Sequence, residues 1–381
     1  MRLGGAWIAR PETRAVCAAL SGAGHRALFV GGCVRNALLG EPVGDIDIAT
    51  DAPPDTVMVR AQAAGLKPVP TGIAHGTVTV VSGGLPHEVT TFRADIETDG
   101  RHAQVAFGQS LEADARRRDF TMNALYAETD GAVIDPLGGL PDLRARRVRF
   151  IGDAAQRIRE DRLRILRFFR FHACYGDAQQ GLDPEGLAAC AAASDGLAAL
   201  SRERVGAEML KLLAAPDPAP VLAAMQGAGI LAAILPGAEA SAMAALVHLE
   251  AVCGATPDRL RRLALLGGED AADRLRLSKA DRRRLEVLRG AATGPMHAAE
   301  LGYRLGWADG RDALLIRSAH LGQAPSATDL DDVARGASAE FPIRPEDLIP
   351  KYEGAALGAR LRELEARWIA SGFTLRRADL L

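Results

Sequence analysis

The sequence predicts an α+β protein, a head built on a mixed sheet followed by an all-helical neck, body and tail. Short β-prone runs alternate with helical ones as far as about residue 136. From about Arg146 onward β-signals almost vanish, and Ala, Leu and Arg recur at helical spacing. At 381 residues the chain also exceeds the roughly 250–300 at which a single core stops growing. The expected divisions are 1–145 for the head, 146–214 for the neck and 215–381 for body and tail.

Within the head, A-L-F-V (27–30) reads as a strand that enters the turn Gly31-Gly32 and then an apolar-periodic helix. D-I-D-I-A (45–49) is a second strand. T-V-T-V-V (77–81), S-G-G-L-P and H-E-V-T-T-F (87–92) read as an antiparallel hairpin, so the sheet is mixed. The segment 95–104 reads as a mobile loop and A-V-I-D-P (132–136) as the last strand. Further on, A-A-P-D-P-A-P (214–220) marks a joint between helices, and no fixed-period repeat is present. The apolar stretch 219–237 contains Gln226, is bracketed by prolines and falls short of the ~20 residues of a bilayer span, so it predicts buried helices.

Composition narrows the function classes. Hydrophobic residues at 48% and charged residues at 25% are ordinary for a water-soluble protein, whereas aromatics at 4% with abundant alanine favour helix. Five scattered cysteines without C-x-x-C suggest neither a disulfide framework nor a zinc site, and a reducing cytoplasm fits them. Arg10, Glu12 and Arg14 interrupt the start of the chain, so no secretion signal and no membrane association are expected. The formal net charge of -2 is uninformative because arginines cluster locally.

The chemistry concentrates between Leu28 and Thr50. A strand, Gly31-Gly32 and a helix point backbone N–H groups and the positive end of a helix dipole at one place, which suits phosphate, and Arg35 a turn later can add a fixed charge. Alternation along the following strand sets Asp45 and Asp47 on one face while Ile46 and Ile48 enter the core. Two hard oxygen donors with a phosphate cradle before them suit Mg²⁺ shared with substrate phosphates. An isolated D-I-D-I is more often a solvent-facing strand; the cradle is what favours the metal. Glu88, on the hairpin strand, is the candidate third carboxylate.

G-G-C-V-R-N-A-L-L-G followed by D-I-D resembles the signature of class II nucleotidyltransferases, the polymerase-beta-like branch that contains tRNA CCA-adding enzymes and bacterial poly(A) polymerases. Further blocks follow in the family's order: E-V-T-T-F-R (88–93), D-A-R-R-R-D-F-T-M-N-A-L (114–125), R-E-D-R-L-R (159–164) and L-S-R-E-R-V-G-A-E-M-L-K-L-L (200–213). The resemblance implies a polymerase-beta-like nucleotidyltransferase head that adds CCA to tRNA 3′ ends from CTP and ATP without a nucleic-acid template. A poly(A) polymerase, or an enzyme adding C alone or A alone, is the alternative on the same fold. Asn36 departs from the family, which usually has Asp there.

By the same resemblance Arg117, Arg118, Asp119 and Asn123 form a nucleotide-binding block, with Asp119 accepting from a ribose hydroxyl and the two arginines suiting the triphosphate or base. Glu160, Asp161 and Arg164 occupy the base-reading positions. Read as one helix, they fall within about a 100° arc, and Ile158, Ile165, Leu166 and Phe169 form the opposite, core-facing side. Asp161 as acceptor and Arg164 as donor complement the edge of cytosine or adenine and leave uracil and guanine mispaired. The plainer reading is a salt-bridged helix face. Arg144, Arg146, Arg147 and Arg149 form a basic hinge that could hold tRNA phosphates. The basic residues at 259–262 and 282–284 read first as surface charge and second as an extension of that track. No protein partner is implied.

Overall fold

The computed structural model of the chain describes residues 1–98, 103–107 and 110–381, with side chains outside 94–109. Its head is a seven-stranded sheet in the order β3-β4-β5-β2-β1-β8-β9. The strands are β1 Ala27–Val30, β2 Ile46–Thr50, β3 Lys67–Gly72, β4 Thr77–Ser82, β5 Leu85–Thr91, β8 Tyr126–Ala127 and β9 Val133–Ile134. β2 runs parallel to β5 and the other described pairings are antiparallel, which makes the sheet mixed, as expected.

Alternating burial explains the central strands. Ile46, Ile48, Val78, Val80 and Val89 are buried, and polar residues alternate with them. β3 and β8 were not expected. β3 contains Pro68 and Pro70, which argue against a strand in the middle of a sheet but are tolerated at its edge, where β3 lies. β8 is two residues long, too short to show a period.

Part of the expected loop at 95–104 is instead a second, two-stranded sheet of β6 Arg93–Thr98 and β7 Ala103–Phe107. Residues 99–102, with Asp99 and His102, lie outside the described residues.

The helices up to the end of the neck are α1 Ala6–Ala9, α2 Pro11–Ser21, α3 Gly32–Leu39, α4 Pro54–Ala63, α5 Leu111–Arg116, α6 Leu140–Arg144, α7 Ala154–Glu160, α8 Leu163–Tyr175, α9 Pro184–Ala192 and α10 Arg202–Leu213. One continuous helix was expected across Glu160, Asp161 and Arg164, and the structure corrects this. α7 stops at Glu160, Asp161 takes an extended conformation (φ -151°, ψ 106°), and α8 begins at Leu163. The cause is local, because Asp161 Oδ1 accepts the Leu163 N–H at 3.0 Å, the capping bond for which Asp is suited. Ile158, Ile165, Leu166 and Phe169 are buried as predicted, shared between two helices.

Contacts divide the chain into two units, Met1–Glu208 with Gly227–Ile234, and Met209–Gln226 with Leu235–Leu381. Head and most of the neck thus fall in the first. Around Tyr126, that unit packs Leu28, Val30, Phe92, Leu111, Ala115 and Ile151. A second group of rings ties the segment after the sheet to α8, with Phe150 stacked on Phe168 at 5.4 Å and Phe120 at 5.0 Å from both Phe150 and Phe171.

The second unit is helical, with Arg259–Leu266, Lys279–Thr293, Ala298–Leu321 and Ala327–Ala337 among its helices. The surface reading of residues 259–262 is overturned for two arginines. Arg261 and Arg262 are 1% and 0% exposed and share Glu250, and Arg261 also meets Asp312 at 2.7 Å. Arg262 further donates to the carbonyls of Leu213, Ala215 and Pro216. Such pairing is what allows a charge into a core. The stretch 219–237 forms the short helices Ala219–Gly227 and Ile230–Ile234 with buried Leu222, Met225 and Leu231, and no described helix is long and apolar enough to cross a membrane.

Candidate active site

Gly31 links β1 to α3 with φ 69°, in the left-handed region that favours glycine. Its N–H donates to Leu125 O at 3.1 Å, which ties the turn to the segment leading into β8. A Cβ at Gly31 would stand 3.4 Å from Nη1 of Arg118, a contact distance that shows how near the guanidinium comes to the start of α3, while the positive φ is what calls for glycine. Turn, helix N-terminus and Arg118 therefore converge.

Beside them, β2 carries Asp47, half-buried, and is preceded by Asp45, exposed; β5 places Glu88 in register with Asp47 across the parallel pair. Burial first and Glu88 second, with Asp45 adding, push the Asp47 carboxyl up to about 6, against the opposing pull of Arg118. Arg118 and Arg35 do not offset burial and the neighbouring carboxylates, and a divalent cation is what would supply the missing positive charge. Among the described residues no three His, Cys, Asp or Glu groups close on a point tightly enough to hold a metal by themselves. The all-oxygen donor set fits an ion that completes its shell with substrate phosphates.

Arg118 is held by two residues with no role assigned from the sequence. Its Nε donates to the Tyr126 hydroxyl at 3.1 Å and its Nη2 to Asp114 Oδ2 at 3.1 Å, while Arg117 donates to Asp114 Oδ1 at 2.9 Å. Burial alone would raise the Asp114 carboxyl, but Arg118 and Arg117 outweigh it and hold the group at about 2. Asp114 lies inside the D-A-R-R-R-D block, and its spacing of three and four residues from the arginines was the available signal.

Arg35 is placed differently from its expected phosphate role. It is buried, with its guanidinium 3.9 Å from the centre of the Tyr175 ring. Its nitrogens donate to Asn36 Oδ1, to Asn123 Oδ1 at 2.5 Å and to the Tyr175 hydroxyl at 2.8 Å. Those donors are engaged inside the protein, so a phosphate contact would require a change of partner. Asn36 in turn donates from Nδ2 to Pro42 O at 2.8 Å, a bond that an ionised Asp could not make.

The chain of contacts continues from Asn123 to Asp119. The Asp119 Oδ1 accepts from Asn123 Nδ2 at 3.0 Å and from Phe120 N at 2.9 Å, and its Oδ2 from Arg167 at 2.7 Å. Burial alone raises this carboxyl, yet Arg167 and the hydrogen bonds leave it below the ordinary carboxylate range. A ribose hydroxyl would share oxygens already bonded to the protein.

Of the three base-reading candidates, Glu160 and Arg164 meet at 2.5 Å. Arg164 also donates to Arg157 O and Arg117 O, both at 2.9 Å, which ties the neck to the Arg117–Arg118 segment. The side chain of Asp161 pairs not with the Arg164 guanidinium but with Arg204 of α10, at 2.6 Å, while the Arg164 N–H donates to the backbone Asp161 O at 3.0 Å. Four residues on, Glu208 contacts Arg170 at 2.5 Å and Arg167 at 3.9 Å. Arg144, Arg147 and Arg149 of the basic hinge are exposed and Arg146 half-buried; Arg149 pairs with buried Asp142 and Arg146 lies 3.9 Å from Glu41.

Comparison with known proteins follows the same blocks. The poly A polymerase head domain matches residues 27–149, and the probable RNA and SrmB-binding site of polymerase A matches 181–241. The chain is 45% identical over 216 residues to the CCA-adding enzyme of Geobacillus thermodenitrificans, covering 56% of this chain and 52% of that one. It is 43% identical over 190 residues to human mitochondrial CCA tRNA nucleotidyltransferase 1, covering 50% and 44%. The matched stretch thus spans about half the length of these curated relatives. The crystal structure of the Bacillus stearothermophilus CCA-adding enzyme in complex with CTP superimposes with a TM-score of 0.75 at 32% identity, over 95% of this chain and 94% of that one.

Proposed function

The chain belongs to the CCA-adding enzyme family, and from that premise we propose that it is a cytoplasmic tRNA nucleotidyltransferase that adds C, C and A to tRNA 3′ ends from CTP and ATP, releasing pyrophosphate. The observation that carries the reading is the convergence of Gly31, Arg118 and Asp47, which sets a phosphate cradle beside an under-neutralised carboxylate pair. Five free cysteines without a disulfide support the compartment.

Asp45 and Asp47, with Glu88 beside them, would hold Mg²⁺. When bound, Mg²⁺ neutralises triphosphate charge and makes the attacking hydroxyl a better nucleophile. The 3′ oxygen of tRNA forms its bond to the α-phosphorus as the bond to pyrophosphate breaks, and the work of the protein is to align these groups and stabilise the charge that develops. Arg118 and the N–H groups at the start of α3 face that charge. Asp161 accepts from the exocyclic amino group of cytosine or adenine, and Arg164 donates to the ring nitrogen next to it. Asp119 and Asn123 set the ribose side, and the exposed arginines of the hinge hold tRNA phosphates.

The test is to incubate the chain and Mg²⁺ with tRNA lacking CCA, giving CTP alone, ATP alone and both. The reading expects CC from CTP, CCA from both and little from ATP. A long A tract from ATP alone would instead favour a poly(A) polymerase, in line with the name of the matched head domain, and addition of a single kind of nucleotide would favour a C-only or A-only enzyme.

A further inference from the structure

We propose that the Tyr126 hydroxyl is a positioning group for the nucleotide triphosphate, holding Arg118 so that its unengaged nitrogen faces the turn at Gly31. The proposal rests on the functional reading above and deepens its phosphate-binding part.

A guanidinium offers five N–H donors in one plane, and its direction is fixed only when two of its nitrogens are held. Arg118 is held along one edge. Nε donates to the Tyr126 hydroxyl and Nη2 to Asp114 Oδ2, each at 3.1 Å. Nη1, on the opposite side, makes no hydrogen bond among the described residues and is the atom that approaches Gly31.

The phenol closes a triangle by donating to Asp114 Oδ2 at 2.6 Å. Without it, Arg118 would hang from Asp114 by one bond and could swing about it. Tyr126 suits this task because its position is set elsewhere: its ring is fully buried, and its backbone pairs with Val30 of β1, the residue before Gly31. The strand that leads into the phosphate turn thus also fixes the group that aims the arginine. Burial keeps the phenol protonated, against the pull of Arg118, so it remains a donor to Asp114. Asp114 is shared by Arg117 and Arg118, so two positive charges meet one negative charge, and an excess of positive charge faces an incoming phosphate.

The test uses the full chain and Tyr126→Phe, which removes one oxygen and keeps the ring. Binding of CTP, inorganic pyrophosphate and cytidine is measured separately, in the parent and in Arg118→Ala. In the parent background the substitution is expected to weaken CTP and pyrophosphate about tenfold and to leave cytidine within about twofold. KM for CTP and ATP should rise together, with rejection of UTP unchanged. In the Arg118→Ala background it should cost nothing further. Unchanged pyrophosphate binding, an equal loss for cytidine, or an equal loss without Arg118 would each overturn the proposal. Binding is read whether or not the chain extends tRNA, so failure of the functional reading would show separately, as absence of nucleotide addition.

Discussion

Asp161 and Arg204 meet at 2.6 Å, so the proposed acceptor for the base amino group is anchored by a helix that starts some forty residues later in the chain. The second Asp161 oxygen caps Leu163. Both bonds fix the direction of the carboxylate, leaving lone pairs for a base. Asp161→Ala should relax rejection of UTP and GTP, and Arg204→Ala should do so in part, because the acceptor remains but is no longer held. Both side chains are partly exposed, so the lost pair should cost less than about 1 kcal/mol of stability. Misincorporation frequencies on tRNA ending in CC, alongside urea melts, check this. Unaltered selectivity in both variants would return Asp161 to a capping role.

Arg164→Ala removes the donor to the base ring nitrogen together with the link from the neck to Arg117 O. Efficiency with CTP and ATP should fall by about 1–3 kcal/mol of transition-state stabilisation, one to two decades. Affinity for tRNA, measured by filter binding, should hardly move.

Replacing Asp45 or Asp47 by Asn should abolish nucleotide transfer while tRNA binding persists. Asp47→Asn should also melt no lower than the parent in the absence of metal, since it removes a charge that burial and Glu88 disfavour. Near-normal turnover in Mg²⁺ by either variant would remove the metal assignment.

Asp114 predicts an acid limb in the stability curve. Its folded pKa of about 2 lies below its ordinary 3.8, so its contribution is complete above the unfolded value and is lost as pH falls through the folded one. The difference corresponds to about 2 kcal/mol, and the group is almost wholly buried, so little is screened by solvent. Urea unfolding between pH 5 and pH 2 should show a steeper decline for the parent than for Asp114→Asn.

Arg262→Ala should cost about 3–5 kcal/mol, because Glu250 and three backbone carbonyls lose a buried partner. Thermal melting checks it, and base selection at temperatures where the variant is folded should be unchanged.

Where neighbours in sequence decide the structure, the sequence was legible. Gly31 needs its left-handed φ, Asp47 alternates with two buried isoleucines, and the 77–92 hairpin carries its own turn. Partners far along the chain were not legible. Nothing near Arg261 or Arg262 announces Glu250 or Asp312, so a basic run that reads as surface is core. Nothing near Asp161 announces Arg204. The break at Asp161 did leave a sign, since Asp caps helices readily, but the strong helical period on either side concealed it. Tyr126 lies in a two-residue strand too short to show a period, and only the fold brings its hydroxyl to Arg118.

The central claim is that this site chooses C and A by itself and stops. It is tested most directly by giving the full chain, with Mg²⁺ and all four nucleoside triphosphates at equal concentration, a tRNA that ends in CC, and sequencing the products. The account predicts one added A and then arrest. Extension by several nucleotides, or U and G incorporated as readily as A, would contradict it.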